Sequence, residues 1–142
     1  MEIKIVNKSK NPIPEYATIG AAGMDLRTSI EEVVTLKAHS NIILPTGIFI
    51  ELPQGYEAQV RGRSGLAFKF NIISHLGTID SDYRGEIKVK LFNLSDADFV
   101  IQPGDRIAQL VISKYERVDL NVVEELSETL RSEGGFGHTG IK

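Results

Sequence analysis

The chain has 142 residues, 42% of them hydrophobic, with 16 Lys and Arg against 19 Asp and Glu for a net charge of −3. That length and apolar share suit one globular domain with a sizeable core, and the slightly acidic balance excludes a broad basic surface for duplex nucleic acid. The lack of cysteine excludes a disulfide framework and thiolate metal sites, and His39, His75 and His138 are too scattered for a ligand motif such as HExxH. Any metal is therefore expected on oxygen atoms, as Mg²⁺ is. The opening MEIKIVNKSK lacks the apolar core of a signal peptide, and no apolar run approaches the roughly 18 residues of a bilayer span, so a cytoplasmic protein is expected.

In chain order, residues 2–6 alternate and are expected to form a strand, after which Pro12 and Pro14 impose a loop or a sheet edge. Residues 24–27 alternate Met and Leu with Asp and Arg. Further strands are expected at 33–36, 41–44 and 47–52, punctuated by Pro45-Thr46-Gly47 and Pro53-Gln54-Gly55, and then at 56–60. Between 61 and 71 Ser64 is expected to cap a single helical turn through Leu66-Ala67-Phe68, the one helix expected in the body. Strands at 71–74, 86–93, 98–101 and 106–113 follow, with Pro103-Gly104-Asp105 as a turn. Residues 118–123 are a last strand candidate, and 124–130 has helical propensity but little length. Short strands broken by turn signals every 8 to 12 residues or so point to an all-β sandwich or jelly roll. The domain is expected to span 1–123, with 124–142 a linker and mobile tail whose glycines, Gly134, Gly135, Gly137 and Gly140, cannot build a core.

The stretch GTIDSDYRGEIKVKLFN, residues 77–93, places Asp80 and Asp82 in a tight turn before a strand in which Ile87, Val89 and Leu91 alternate with Glu86, Lys88 and Lys90. It has the look of a site on a hairpin, although two Asp at that spacing also serve plain turn geometry. Four other clusters accompany it. AAGMDLR sets Asp25 in a strand after a small-residue turn, or else leaves it in a surface salt bridge. RGRSGLA brings Arg63, Ser64 and Gly65 to a helix start, which is an anion site or a simple N-cap. GDRIAQL puts Ile107 and Gln109 on one side of a strand, with Gln109 facing a cleft or merely water. In RSEGGFGHTG a lone Phe136 between glycines, close to Arg131, suits a segment that orders over a ligand, with the ring on a base and the Arg on phosphate. GxxxxGK[ST], GxGxxG and GxSxG are all absent, which removes P-loop, Rossmann and nucleophile-elbow chemistry.

In this order and spacing the five stretches, running from Ala21 to Gly140, resemble the motifs of the trimeric deoxyuridine triphosphatase (dUTPase) family. The resemblance implies a distorted, β-prism-like jelly roll assembled as a homotrimer whose three active sites are built from pieces of all subunits. It implies hydrolysis of dUTP to dUMP and pyrophosphate, which limits uracil in DNA and supplies dUMP for dTMP synthesis, with Mg²⁺ as cofactor. By that resemblance Asp80 orients and deprotonates the attacking water, and the backbone of Gly77, Thr78 and Ile79 reads uracil. Tyr83 lies under the deoxyribose and leaves no room for a 2′-hydroxyl, and Lys88 flanks the nucleoside pocket. Arg63, Ser64, Gly65 and Gln109 bind the phosphate chain, and Asp25 holds waters of the Mg²⁺ shell. Arg131, Phe136, Gly137 and His138 belong to the tail that grips the γ-phosphate and covers the base. Gly62, Met24, Ser74 and His138 depart from the commoner residues, Ser74 standing where an Asn often helps bind the base. A carboxylic acid of ordinary pKa about 3.9 is a weak base, so positioning the water is its expected service. Two rivals remain: a dCTP deaminase or bifunctional deaminase on the same fold, and a jelly roll kept as a ligand-binding module without catalysis.

Overall fold

Apolar alternation is converted into strand pairing along the body of the chain. The computed structural model describes residues 1–130 and 132–133. Its strands are β1 (Lys4–Asn7), β2 (Met24–Arg27), β3 (Val34–Leu36), β4 (Asn41–Pro45), β5 (Ile48–Glu51) and β6 (Tyr56–Arg61). Helix α1 (Ser64–Phe70) follows, then β7 (Ile72–Ser74), β8 (Gly77–Ile79), β9 (Lys88–Asn93), β10 (Phe99–Ile101) and β11 (Arg106–Lys114). No helix among the described residues is long and apolar enough to cross a membrane.

All ladders are antiparallel. A four-stranded sheet in the order β2-β11-β6-β8 and a three-stranded sheet in the order β4-β9-β7 carry most of the body, with the pairs β1-β5 and β3-β10 beside them. The inner faces meet in one core. In β9, Val89, Leu91 and Asn93 point inward and Lys88 and Lys90 outward; in β6, Ala58 and Val60 are the inward residues. Leu26, Leu36, Leu44, Ile72, Ile101 and Leu110 complete a centre in which every side chain is nearly or wholly sealed from water, each contributing roughly 1.5–3 kcal/mol by leaving it.

Most expected strands are present within a residue or two, and four differences have physical causes. The turn before β9 is not a paired hairpin: β8 joins β6 in one sheet, whereas β9 joins β4 and β7 in the other. Ser64 is not the cap of α1. Arg63 is, in an extended conformation and with no side-chain capping bond, since a guanidinium has no acceptor to offer the first N–H groups; it donates to Asp25 instead. Asn71 does not open β7; it closes the helix at φ 54°, its N–H bonding to the Ala67 carbonyl. Residues 118–123 form no strand, because no ladder in the chain accepts them, and Val118, Leu120 and Val122 stay in water.

Polar residues inside the core act as pins. Thr46 Oγ1 donates to the Ile87 carbonyl at 2.5 Å, and Gly47 turns at φ 69° against the Ser9 backbone, where a side chain would collide. Asn93 is fully buried; its Nδ2 donates to the Leu36 and Ala97 carbonyls (3.1 and 2.8 Å) and its Oδ1 accepts from Ser95 N and Oγ (3.0 and 2.8 Å). Replacing it by Leu strands several buried polar groups, so Asn93→Leu should cost about 2–4 kcal/mol. Urea unfolding at fixed protein concentration checks this, with a lower midpoint and unchanged slope expected.

Candidate active site

The register of the four-stranded sheet sets out one group of candidate residues. Asp25 of β2 pairs with Gln109 of β11, and Gln109 pairs with Arg61 of β6. Residues paired across antiparallel strands share a face, so Asp25, Gln109 and the chain leaving β6 toward Arg63 stand together at one end. A register shift between Arg106 and Ala108 produces this arrangement. It allows Ile107 and Ala108 both to be buried and turns Gln109 to the side opposite Ala108 and Leu110. The expectation that Ile107 and Gln109 share a side is therefore corrected: the bulge separates them.

Two guanidinium groups close on Asp25. Arg63 Nε donates to Oδ1 at 2.9 Å and Arg106 Nη1 to Oδ2 at 3.3 Å, while Arg63 Nη1 donates to the Arg106 carbonyl at 3.1 Å. Gln109 Nε2 donates to the Gly62 carbonyl at 2.8 Å, and its amide oxygen occupies the space a side chain on Gly23 would need. Gly62, Arg63 and Gln109 thus form one tied unit. At the start of α1 a Cβ added to Gly65 would meet nothing within 4 Å, so packing within the chain does not require that glycine. The Ser64 and Gly65 N–H groups lie in the first turn, where helices have no internal acceptors.

A second group runs along β8 away from the first, with Gly77 nearest to it and Asp80 farthest. Gly77 pairs with Val60 and Ile79 with Ala58, so Asp80 falls level with Glu57, about 13 Å along β6 from Arg61 at the usual strand rise. Here a cavity of about 250 Å³ is lined by His75, Gly77, Thr78, Ile79, Asp80, Tyr83, Glu86 and Lys88, with Val60 and Ile87 beneath. β8 is the outer strand of its sheet, so its far edge carries backbone N–H and C=O groups without a ladder partner among the described residues. The exposed Asp80 carboxylate makes no hydrogen bond or ion pair to a described residue and sits where this cavity meets a second one lined by Ser81, Asp82 and Arg117.

The turn is braced by its own residues. Tyr83 N–H bonds to the Asp80 carbonyl at 3.2 Å, and Arg84 Nη1 donates to the Ser81 and Tyr83 carbonyls. The Tyr83 hydroxyl donates to the Glu86 carbonyl at 3.1 Å, which lays the ring over Gly85 so closely that a Cβ there would stand inside it. Glu86 in turn accepts the Gly47 N–H at 2.8 Å, with Lys88 Nζ 4.0 Å away.

Within one chain, then, Asp25, Arg63 and Gln109 are brought together beside Ser64 and Gly65, and Gly77, Thr78, Ile79, Asp80, Tyr83 and Lys88 are brought together apart from them. Ser74 joins neither group cleanly. Its Oγ is buried, has no hydrogen-bond partner among the described residues, and lies on the Gly62 side rather than in the cavity wall. Arg131, Phe136, Gly137 and His138 lie outside the described residues. Two neighbours of these groups have no role assigned from the motifs: Arg106, which lies within GDRIAQL but meets Asp25 only once β11 is set beside β2, and His75, an isolated histidine in front of the glycine turn that lines the cavity.

The Gly85 contact yields a test of the turn's construction. Gly85→Ala should leave the melting temperature within a few degrees, because the obstructing atoms belong to one half-exposed side chain, yet displace the Tyr83 ring. Ring-proton NMR shifts of Tyr83, assigned by the signals that vanish in Tyr83→Phe, should move in Gly85→Ala; unchanged shifts would contradict the packing described.

Comparison with known proteins agrees with this architecture. A family model described as dUTPase matches residues 9–140. A deoxyuridine 5'-triphosphate nucleotidohydrolase of Finegoldia magna is 54% identical over 142 residues, 99% of this chain and of that one. A protein of the same name from Cytophaga hutchinsonii is 56% identical over 140 residues, 97% of this chain and 91% of that one. Among solved structures, the dUTPase of Staphylococcus bacteriophage 80alpha with dUPNHPP superposes with a TM-score of 0.90 at 27% identity, covering 99% of both chains. With the family model spanning nearly the whole chain and relatives this similar over their full length, the chain belongs to the dUTPase family.

Proposed function

We propose that the protein hydrolyses dUTP to dUMP and pyrophosphate, a reaction that limits uracil in DNA and supplies dUMP for dTMP synthesis. The observation that carries this is the cavity against β8: an unpartnered strand edge, a sugar-sized ring at Tyr83 and an uncommitted carboxylate at Asp80 face the same space. The backbone of Gly77, Thr78 and Ile79 offers a fixed donor and acceptor set to uracil, and rigid walls discriminate against a 5-methyl group or an amino edge. Tyr83 lies beneath the deoxyribose, Lys88 flanks it, and Asp80 orients the water that attacks the α-phosphorus and receives its proton. Arg63, Ser64, Gly65 and Gln109 bind the phosphate chain, while Arg131, Phe136, Gly137 and His138 close over the nucleotide from the 124–142 segment.

Mg²⁺ fits this site as an ion shared between substrate and water. No group of three or more His, Cys, Asp or Glu among the described residues forms a cage of its own. Asp25 receives two hydrogen bonds from arginines, and a carboxylate has about four acceptor positions, which leaves room to hold metal-bound water. When bound, Mg²⁺ supplies charge neutralisation and alignment of the phosphates.

Pyrophosphate release from dUTP, dTTP, dCTP and UTP in Mg²⁺ tests the assignment: dUTP should be strongly preferred, and Asp80→Asn should lower kcat by about 10²–10⁴. Equal turnover of dTTP, or full activity in the variant, overturns it.

In a homotrimer with shared sites the Asp80 of one chain would serve a nucleotide whose phosphates are held by the Arg63 of a neighbour. The exposed apolar side chains at Val118, Leu120 and Val122 support a segment that completes its packing on another copy. Asp80→Asn and Arg63→Ala chains, each nearly inactive alone, should regain about a quarter of wild-type activity when unfolded and refolded together in equal amounts, since random assembly of shared sites pairs intact Asp80 with intact Arg63 that often. No recovery would place both groups of each site in one subunit.

A further inference from the structure

The cavity wall contains one side chain whose hydrogen-bond polarity is fixed by the neighbouring strand while its outer ring nitrogen has no partner among the described residues. His75 follows β7 and is held to β9 at two points. Its backbone N–H donates to the Lys90 carbonyl at 2.9 Å, and its Nδ1 accepts the Lys90 N–H at 3.2 Å. An Nδ1 that accepts a backbone N–H carries no proton, so the neutral ring holds its proton on Nε2. The opposite ring orientation would set a carbon against that N–H and forfeit the bond. Nε2 lies 2.7 Å from where a Cβ of Gly77 would stand, so the ring is pressed against the glycine that opens the base-reading edge. Among the described residues Nε2 has no hydrogen-bond partner, and the half-buried ring lines the same cavity as Thr78, Asp80 and Tyr83.

We propose that His75 is a specificity-determining residue that donates a hydrogen bond from Nε2 to a carbonyl oxygen of the pyrimidine and rejects an amino group in that place. The inference rests on the dUTP activity proposed above and assigns one residue of its selectivity. To the fixed set on the backbone edge His75 adds one further donor, and where a rotating hydroxyl or amide can reverse its polarity this imidazole cannot. To accept from a cytosine amino group it would have to move its proton to Nδ1, where it would meet the Lys90 N–H head-on, donor against donor. The cost of that conflict falls only on the amino-bearing base.

Three variants separate this role from bracing of β7 on β9. In His75→Asn the shorter amide keeps an oxygen near the Nδ1 position for the Lys90 N–H but presents nothing at the Nε2 position. KM for dUTP should rise about 3- to 10-fold, the usual worth of one neutral hydrogen bond, with the melting temperature little changed. His75→Gln restores a terminal amide that turns freely, so KM for dUTP should return toward wild type while the preference for dUTP over dCTP falls about 10-fold. His75→Ala should lose both. Steady-state kinetics on dUTP and dCTP, with melting curves for each protein, read these effects. ¹⁵N NMR of the wild-type imidazole should show the Nε2–H tautomer and a shift of that nitrogen when dUMP is added. A wild-type chain inert toward dUTP overturns the proposed function and this inference with it. An active wild type whose His75 variants keep its KM and its dUTP-to-dCTP ratio overturns this inference alone, as does a lowered melting temperature with no kinetic change.

Discussion

The register of β11 between its two neighbours is the constraint from which the rest of the site follows. One bulge near Ile107 lets two successive apolar residues enter the core and, past it, inverts which residues face outward. Gln109 thereby comes level with Asp25 on one side and Arg61 on the other, and the two arginines that follow in space, Arg63 and Arg106, both reach the same carboxylate. Without the bulge the period-2 alternation would carry Gln109 to the core face, where an unpartnered amide is expensive, and the Gly62 carbonyl would lose its donor. Gly23 completes the arrangement, since any larger residue would evict the Gln109 amide.

The two ends of the sheet divide the chemistry by charge. At one end positive groups gather around a single carboxylate, and the nearby helix start adds backbone donors. Toward the other end stand a carboxylate and a strand edge without partners among the described residues, and an aromatic ring. A nucleoside triphosphate is itself polarised in this way, with an uncharged, flat base and a densely anionic tail. A single copy of the chain carries groups suited to both halves of such a ligand, spread along β6 from the Arg61 end to the level of Glu57.

Much of this was legible in the chain itself. Alternation places β2, β4, β6, β9 and β11 within a residue or two, and four of the five motif stretches contain almost every residue of the two groups. What alternation does not encode is which strand accepts which. It therefore could not reveal that β8 and β9 part company, that Gln109 is redirected by a bulge, or that Arg106 reaches across to Asp25. The charge of Arg63 is plain in the sequence, but its pairing with Asp25, 38 residues away, and its place at the start of α1 in front of Ser64 are not. Residues 118–123 carry a genuine strand pattern and still form none, because a pattern supplies side-chain faces and not the neighbouring backbone that a ladder requires.

The parting of β8 and β9 has a consequence for how the turn responds to changes in the core. Residues 80–87 are tethered at their two ends to different sheets, through the Ala58–Ile79 pairing at one and the Ile48–Ile87 hydrogen bond at the other. The loop is in effect a gauge stretched between two plates. The turn between them is braced by its own hydrogen bonds, so a volume change at a core residue such as Leu44 or Val89, which shifts one sheet on the other, would carry Asp80 and Tyr83 together relative to β6. Such a substitution would be felt twice, as lost packing and as a displaced turn.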